Sequence, residues 1–259
     1  MAVEAESSPL SAGDGDSVRR VTAVLDALAA SSRPLGVSEL ARRTGLPKSS
    51  AQRLLRALAA VGLLERRESG YCLGLRLFEL GQRVPRQRDI RDAARPYMAD
   101  LREVTRLTVN LAVLEGLEVV YLDVVRGPDA PALPTSPGGR FLAHATGIGK
   151  AILAFSSPET VNRVLQGPLP KLGEHTITDP VLLKLELSRI ASVGIAYDRE
   201  ESRQGVVCAA SPVFGEDGEV IAGLSVSGWN TRMDLDRAAA AVRTSALSLS
   251  RAVRQRQLG

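Results

Sequence analysis

Aromatic side chains are scarce in this 259-residue chain: Phe, Trp and Tyr make up 3% of it, with a single Trp. Cysteine and histidine are rarer still, at two each. Two thiols, Cys72 and Cys208, exclude a disulfide scaffold or a Cys-rich zinc module and fit a reducing cytoplasm, the expected location. His144 and His175 lack metal-ligand spacing, so no metal is expected, and no cofactor motif is found. No apolar run approaches the roughly 18 residues of a membrane span, so no membrane partner is expected. Residues 1–16 contain no Lys or Arg, which argues against a secretory n-region. What remains is ordinary: 44% hydrophobic and 24% charged residues describe a globular protein of one large or two modest domains.

The formal net charge of +4 is unevenly spread. Residues 1–16 carry −4, residues 17–90 carry +8, and residues 91–259 are neutral with 19 charges of each sign. A basic segment beside a neutral one suggests a nucleic-acid-binding module joined to something else. The 1–16 stretch, rich in Ser, Gly and acids, reads as a disordered tail. Dense charge and a proline in 83–89 (RVPRQRD) place the domain boundary there.

The basic segment has the pattern of a winged helix-turn-helix. Ser17 is expected to cap a first helix, whose Val18, Val21, Leu25 and Leu28 recur at helical spacing. Ser38 is expected to cap a second, and Gly45 to turn the chain so that Pro47 opens a third. In that third helix Ala51, Leu54, Leu55, Leu58 and Val61 share one arc. Lys48, Ser49, Ser50, Gln52, Arg53 and Arg56 supply the polar, basic remainder. A hairpin follows, turning at residues 68–70 with Arg66 and Arg67 at its tip, where a wing reaches phosphates. Arg53 is the first candidate for guanine and Gln52 for adenine; Arg42, Arg43, Lys48 and Arg56 are candidates for phosphate contacts. Only Tyr71 and Phe78 in this segment can stack on bases, which argues for double-stranded operator DNA over RNA.

In the neutral segment, alternation predicts strands at 108–114 and 119–125 around Glu115-Gly116, and at 206–213 and 220–227 around residues 216–218. Helices are expected at 90–105, 147–155, 180–193 and from Leu235 onward. The pattern predicts an α+β arrangement with one face of the sheet covered. Gly147-Ile148-Gly149 opens a helix, where free backbone N–H groups suit a carboxylate. Ser225 and Ser227, two apart on a strand, share a face, and Val206 and Leu142 could supply apolar wall.

Enzyme motifs fail here. GIGKA at 147–151 has Ala151 where a phosphate-binding loop needs Ser or Thr for magnesium. The segment 223–227 has Ser where a nucleophile elbow needs its second Gly. Glu200 and Glu201 are neighbours, which suits bonding to backbone or Arg203 better than paired acid-base work. No catalytic residue is assigned; a small-molecule-converting enzyme with a DNA-binding appendage stays as the alternative.

The segments SVRRVTAVLDALA, LARRTGLPKSSAQRLLRALAAVGLLERR and GYCLGLRLFELG resemble the DNA-binding domain of IclR-type bacterial transcriptional regulators. The resemblance continues through GGRFLAHATGIGKAILA, GIAYDREESRQGVVCAASPVF and GEVIAGLSVSG, covering about residues 17–255. Two departures stand out: Ala51-Gln52 replaces a common β-branched residue and His, and residues 141–143 replace the usual Pro and aliphatic residue before His144. The resemblance implies a GAF-like mixed α/β sensor domain with an antiparallel sheet, and a ligand-responsive regulator, expected to be a repressor. It implies effector contacts at Gly147, Ile148, Asp198, Cys208, Ser225 and Ser227. The expected divisions are 1–16 tail, 17–84 DNA-binding domain, 85–105 linker and connecting helix, and 106–259 sensor. The expected partners are operator DNA, a small organic acid, and further copies of the chain as a homodimer or homotetramer.

Overall fold

In the computed structural model, which describes residues 12–128, 130–131, 133 and 135–257, the first helix begins ahead of its expected cap. Helix α1 spans Ala12–Ala29, so Ser17 lies inside it; an ion pair between Asp16 and Arg20, one turn apart, supports the earlier start. Of the expected 1–16 tail, residues 1–11 lie outside the described residues. Helix α2 (Val37–Thr44) is preceded by Gly36 at the cap position; Ser38 falls in its first turn and makes no capping bond. Gly45 closes α2 at φ 69°, as its position suggested. Helix α3 (Lys48–Ala60) starts one residue later than expected, because Pro47 has an extended ψ of 139°. Ala51, Leu55 and Leu58 are buried, whereas Val61, beyond the last helical turn, is 59% exposed and leaves the predicted arc.

Strands β1 (Leu64–Arg67) and β2 (Gly70–Leu73) form the antiparallel wing. Leu35 bonds Tyr71 in both directions at 2.9 Å, so the wing is tied back to the segment before α2. That contact requires glycine at 70: φ is 147°, and a Cβ there would lie 2.5 Å from the Leu35 carbonyl. Gly70→Ala is therefore expected to destabilise this unit by about 1–3 kcal/mol, seen as an earlier thermal transition; an unchanged melt would refute the close-approach argument. Helix α4 (Leu75–Gly81) follows. Val24, Leu28, Leu40, Leu55, Leu58, Leu64 and Tyr71 form the common core.

The chain divides into two units after Pro85. The second contains α5 (Pro85–Thr105) from its second residue onward, β3 (Thr108–Glu115), β4 (Glu118–Val125) and β5 (Arg140–Leu142), then a 3-10 turn, Ala143–Ala145. After these come α6 (Gly147–Leu153), α7 (Pro158–Gln166), α8 (Pro180–Val193), β6 (Ala196–Arg199), β7 (Val206–Phe214), β8 (Val220–Trp229) and α9 (Leu235–Gln257). The six strands form one antiparallel sheet in the order β5-β4-β3-β8-β7-β6.

Both faces of the sheet are covered, not one. Val109, Leu111, Leu224 and Val226 pack with Met98 of α5 and Val242 and Leu249 of α9. Ala112, Cys208 and Ala210 alternate with those residues and pack with Ile148 and Ile152 of α6 and Leu183 and Leu187 of α8. The one-face expectation fails because α6 to α8, which lie between strands in sequence, form a second layer beside that of α5 and α9. Asp179, whose carboxylate accepts from the N–H of Val181 and Leu182, caps α8, and Ser157 caps α7.

Candidate functional site

In the first unit, the outward side of α3 exposes Lys48, Ser49, Gln52, Arg53 and Arg56, with Ser50 half-buried. The side chains of Lys48, Arg53 and Arg56 have no hydrogen-bond or ion-pair partner among the described residues. The α2 arginines differ: Arg42 and Arg43 both bind the Glu39 carboxylate, at 2.8 Å. These two guanidinium bonds hold the Glu39 carboxyl down at a pKa of about 2. On the wing, Arg67 bonds Glu65 at 2.9 Å, while Arg66, opposite Tyr71 in the ladder, is unpaired among the described residues. The expected contact residues thus divide into free cations on α3 and at Arg66, and cations already engaged by acids.

In the second unit, a cavity of about 120 Å³ opens between α6, the sheet and the loop that follows β6. Its lining includes Gly147, Ile148, Asp198, Val206, Cys208 and Ser227, six of the eight residues expected there. Leu142 and Ser225 are not on the wall. Leu142 lies on the edge strand β5 opposite Glu118. Ser225 is buried opposite Asn110, whose amide Nδ2 donates to Ser225 Oγ at 3.2 Å and to Ser227 Oγ at 3.3 Å. Ser225 and Ser227 are thus joined through the one amide nitrogen of Asn110.

Local sequence explains the walls. Thr146 caps α6 by accepting from Gly149 N–H at 3.1 Å, and the first intrahelical bond runs from Lys150 N–H to the Thr146 carbonyl. The N–H groups of Gly147 and Ile148 therefore precede the bonded ladder. Gly149 is obligatory, since a Cβ there would lie 2.2 Å from the Ala143 carbonyl oxygen.

Asp198 is held rigidly. Its Oδ1 accepts from Glu201 N–H at 2.7 Å and Ser202 N–H at 3.3 Å, and its Oδ2 accepts from Ser202 Oγ at 2.5 Å. Burial pushes the Asp198 carboxyl upward in pKa against those bonds. Burial likewise pushes the Cys208 thiol up to about 12, so it is a neutral wall rather than a nucleophile. Behind the wall, Lys150 Nζ lies 2.5 Å from both carboxylate oxygens of Glu201, in a pair 1% and 8% exposed. The pair ties α6 to the 200–205 loop. Glu200 holds the left-handed φ of 64°, accepts from Gly205 N–H at 2.7 Å and from Asn230 Nδ2 at 2.6 Å, and so closes that loop. The Trp229 ring packs on Gly205 at the loop's end.

Several lining residues were not anticipated from the sequence: Tyr121, Leu133, Thr135 and Arg203. Tyr121 and Phe141 meet edge to face with centroids 5.4 Å apart and give the cavity an aromatic side. Thr135 Oγ1 is buried without a partner. Arg126 donates to the carbonyls of Leu133 and Thr135 and so holds that segment against the sheet. Among the described residues no cluster of metal ligands forms, and no helix is long and apolar enough to cross a membrane.

Residues 17–68 match the IclR helix-turn-helix domain, and residues 82–251 match the C-terminal domain of bacterial transcriptional regulators of the IclR type. The regulator BhcR of Paracoccus denitrificans is 36% identical, over 86% of this chain and 82% of its own length. The transcriptional repressor IclR of Escherichia coli is 32% identical, over 87% of this chain and 84% of its own. Among solved structures, an IclR homologue from Microbacterium hydrocarbonoxydans complexed with 4-hydroxybenzoate matches with a TM-score of 0.86 and 30% identity, covering 92% of this chain and 99% of that one. The Thermotoga maritima IclR structure matches with a TM-score of 0.77 and 29% identity, over 93% of this chain and 99% of that one.

Proposed function

The chain belongs to the IclR family of bacterial transcriptional regulators, and on that premise we propose that it binds operator DNA through α3 and the wing and senses a small carboxylate through the β6–α6 cavity. The observation that carries the reading is the outer side of α3, where Gln52, Arg53, Arg56 and Lys48 are exposed and unengaged by any acid. Such a face enters a major groove: Arg53 and Gln52 read base edges, and Lys48, Arg56, Ser49 and Ser50 position on the backbone. Arg66 serves as the wing's contact, and Arg42, Arg43 and Arg67 contact phosphate only by sharing or releasing their acids.

The effector reading is supported by the cavity's lining, which brings Gly147 and Ile148, whose N–H groups precede the α6 ladder, and Ser227 together with the apolar Tyr121, Phe141 and Val206. Ser225 acts through Asn110 and Ser227. The volume is below that of drug-sized sites and close to the ~150 Å³ of a cavity that takes one benzene ring, so a compact acid fits. The 4-hydroxybenzoate in the Microbacterium homologue supports a ligand of that size and charge. Two copies of α3 would address a pseudo-palindromic operator, so a dimer, or a pair of dimers, is the assembly proposed, in the cytoplasm.

The test is fluorescence anisotropy on an operator duplex selected from random DNA. Acids that raise the thermal midpoint should change operator affinity about 5–150-fold, the range of a coupling of ~1–3 kcal/mol. Operator affinity should also fall steeply as salt rises. A stabilising acid that leaves operator affinity unchanged would refute the sensor assignment, and a flat salt dependence would refute the role of the basic face.

A further inference from the structure

Arg203 lines the cavity, is exposed, and has no hydrogen-bond or ion-pair partner for its side chain among the described residues. This is not for want of acids, since its loop and the strand leading into it hold three carboxylates. Asp198 is engaged by Glu201 N–H and by Ser202, Glu200 by Gly205 N–H and Asn230, and Glu201 by Lys150. A guanidinium left over in so acidic a loop, at a cavity, is placed to meet a charge that arrives from outside.

The charge balance gives it a task. Lys150 and Glu201 cancel behind the wall, which leaves Asp198 as the unbalanced carboxylate facing the cavity. An entering carboxylate would add a second negative charge beside it, in a site whose low polarizability magnifies repulsion. The donors supplied by Gly147, Ile148 and Ser227 are neutral and do not offset this. Arg203 does, and its planar fork matches a carboxylate in two-point contact.

We propose that Arg203 is the specificity-determining residue that makes this cavity select carboxylates over neutral molecules of the same shape. The assignment rests on the cavity being the effector site. It names the ligand class as a compact monocarboxylic acid whose body fills the Tyr121–Phe141 side and whose charge meets Arg203. Because Arg203 is exposed, the pairing is sensitive to salt.

The test is isothermal titration of the full chain with three acids, benzoate, 4-hydroxybenzoate and lactate, each against its carboxamide. The wild type is expected to prefer acid over amide by at least about tenfold, a preference that shrinks as salt rises. Arg203→Gln should remove about tenfold or more of that preference while leaving amide affinity and the thermal midpoint unchanged, and Arg203→Lys should restore part of it. An acid that binds with an acid-to-amide ratio equal in wild type and Arg203→Gln overturns the assignment of Arg203 alone. Failure of every acid to bind the wild type overturns the carboxylate reading of the cavity, and the role of Arg203 with it.

Discussion

Replacing Lys150 with methionine is expected to lower the thermal midpoint of the second unit by about 6–20 °C. Lys150 and Glu201 are 1% and 8% exposed, and the ammonium sits 2.5 Å from both carboxylate oxygens. Methionine keeps an unbranched apolar stem but leaves the carboxylate without its cation. An uncompensated buried charge costs about 3–5 kcal/mol, and a unit of this size shifts by ~2–4 °C per kcal/mol. Changing both partners, Lys150→Met with Glu201→Gln, should recover most of the loss, because no charge is then stranded.

The variant should also depend on pH in a defined sense. Burial pushes the Glu201 carboxyl upward, and without Lys150 the main opposing influence is gone. The folded variant then holds the Glu201 proton more tightly than the unfolded chain does. Its deficit relative to wild type is therefore full above the raised folded pKa and shrinks as pH falls toward the unfolded value. Melting curves of the wild type and both variants between neutral and mildly acidic pH test this. A single variant that melts with the wild type would show that the pair contributes nothing net.

Arg53→Ala is expected to reduce affinity for the selected operator by about one to two orders of magnitude, since a bidentate base contact carries ~1–3 kcal/mol of discrimination. Affinity for a scrambled duplex should fall much less, and the salt slope should change little. Equal losses on both duplexes would reduce Arg53 to a phosphate contact. Arg42→Ala and Arg43→Ala should each cost less than Arg53→Ala. Their guanidinium groups are already spent on Glu39, so a DNA contact from either must first loosen that pair. Glu39→Gln frees both, and should strengthen non-specific binding and steepen its salt dependence.

What could be read from the sequence was local. The apolar spacing of α3, the turn at Gly45, the wing and the two hairpins of the sheet follow from short-range periodicity and turn chemistry, and the structure places them within a residue or two. The exceptions are instructive. Ser17 and Ser38 have the chemistry of caps, but α1 begins five residues earlier and Gly36 takes the cap position of α2. Side-chain chemistry alone does not choose between candidate starts when the preceding residues also tolerate the helix.

At the cavity, the expected residues that line it are mostly those set within one motif, such as Gly147 and Ile148 or Asp198. Asn110 was missed because it meets Ser225 only through the β3–β8 ladder, 115 residues away in sequence. Leu133 and Thr135 come from an irregular segment with no periodicity to read. Lys150 sits where a phosphate-binding loop carries its lysine, and nothing among its neighbours in sequence announces Glu201, 51 positions on, as its partner. Ser225 points to the same face as Ser227, as its spacing required, but the depth of each along β8 is a tertiary fact.

The packing of Trp229 on Gly205 has a practical side. This indole is the only one in the chain, half in solvent at 41% exposure, and it rests on the end of the loop that supplies Asp198, Ser202 and Arg203 with their surroundings. The chain thus carries its own optical probe: excitation selective for tryptophan reports on one known position, without a dye or an engineered label. Closure of the 200–205 loop over a ligand would register as a shift in emission maximum or in quenching by iodide, with every other aromatic silent at that wavelength.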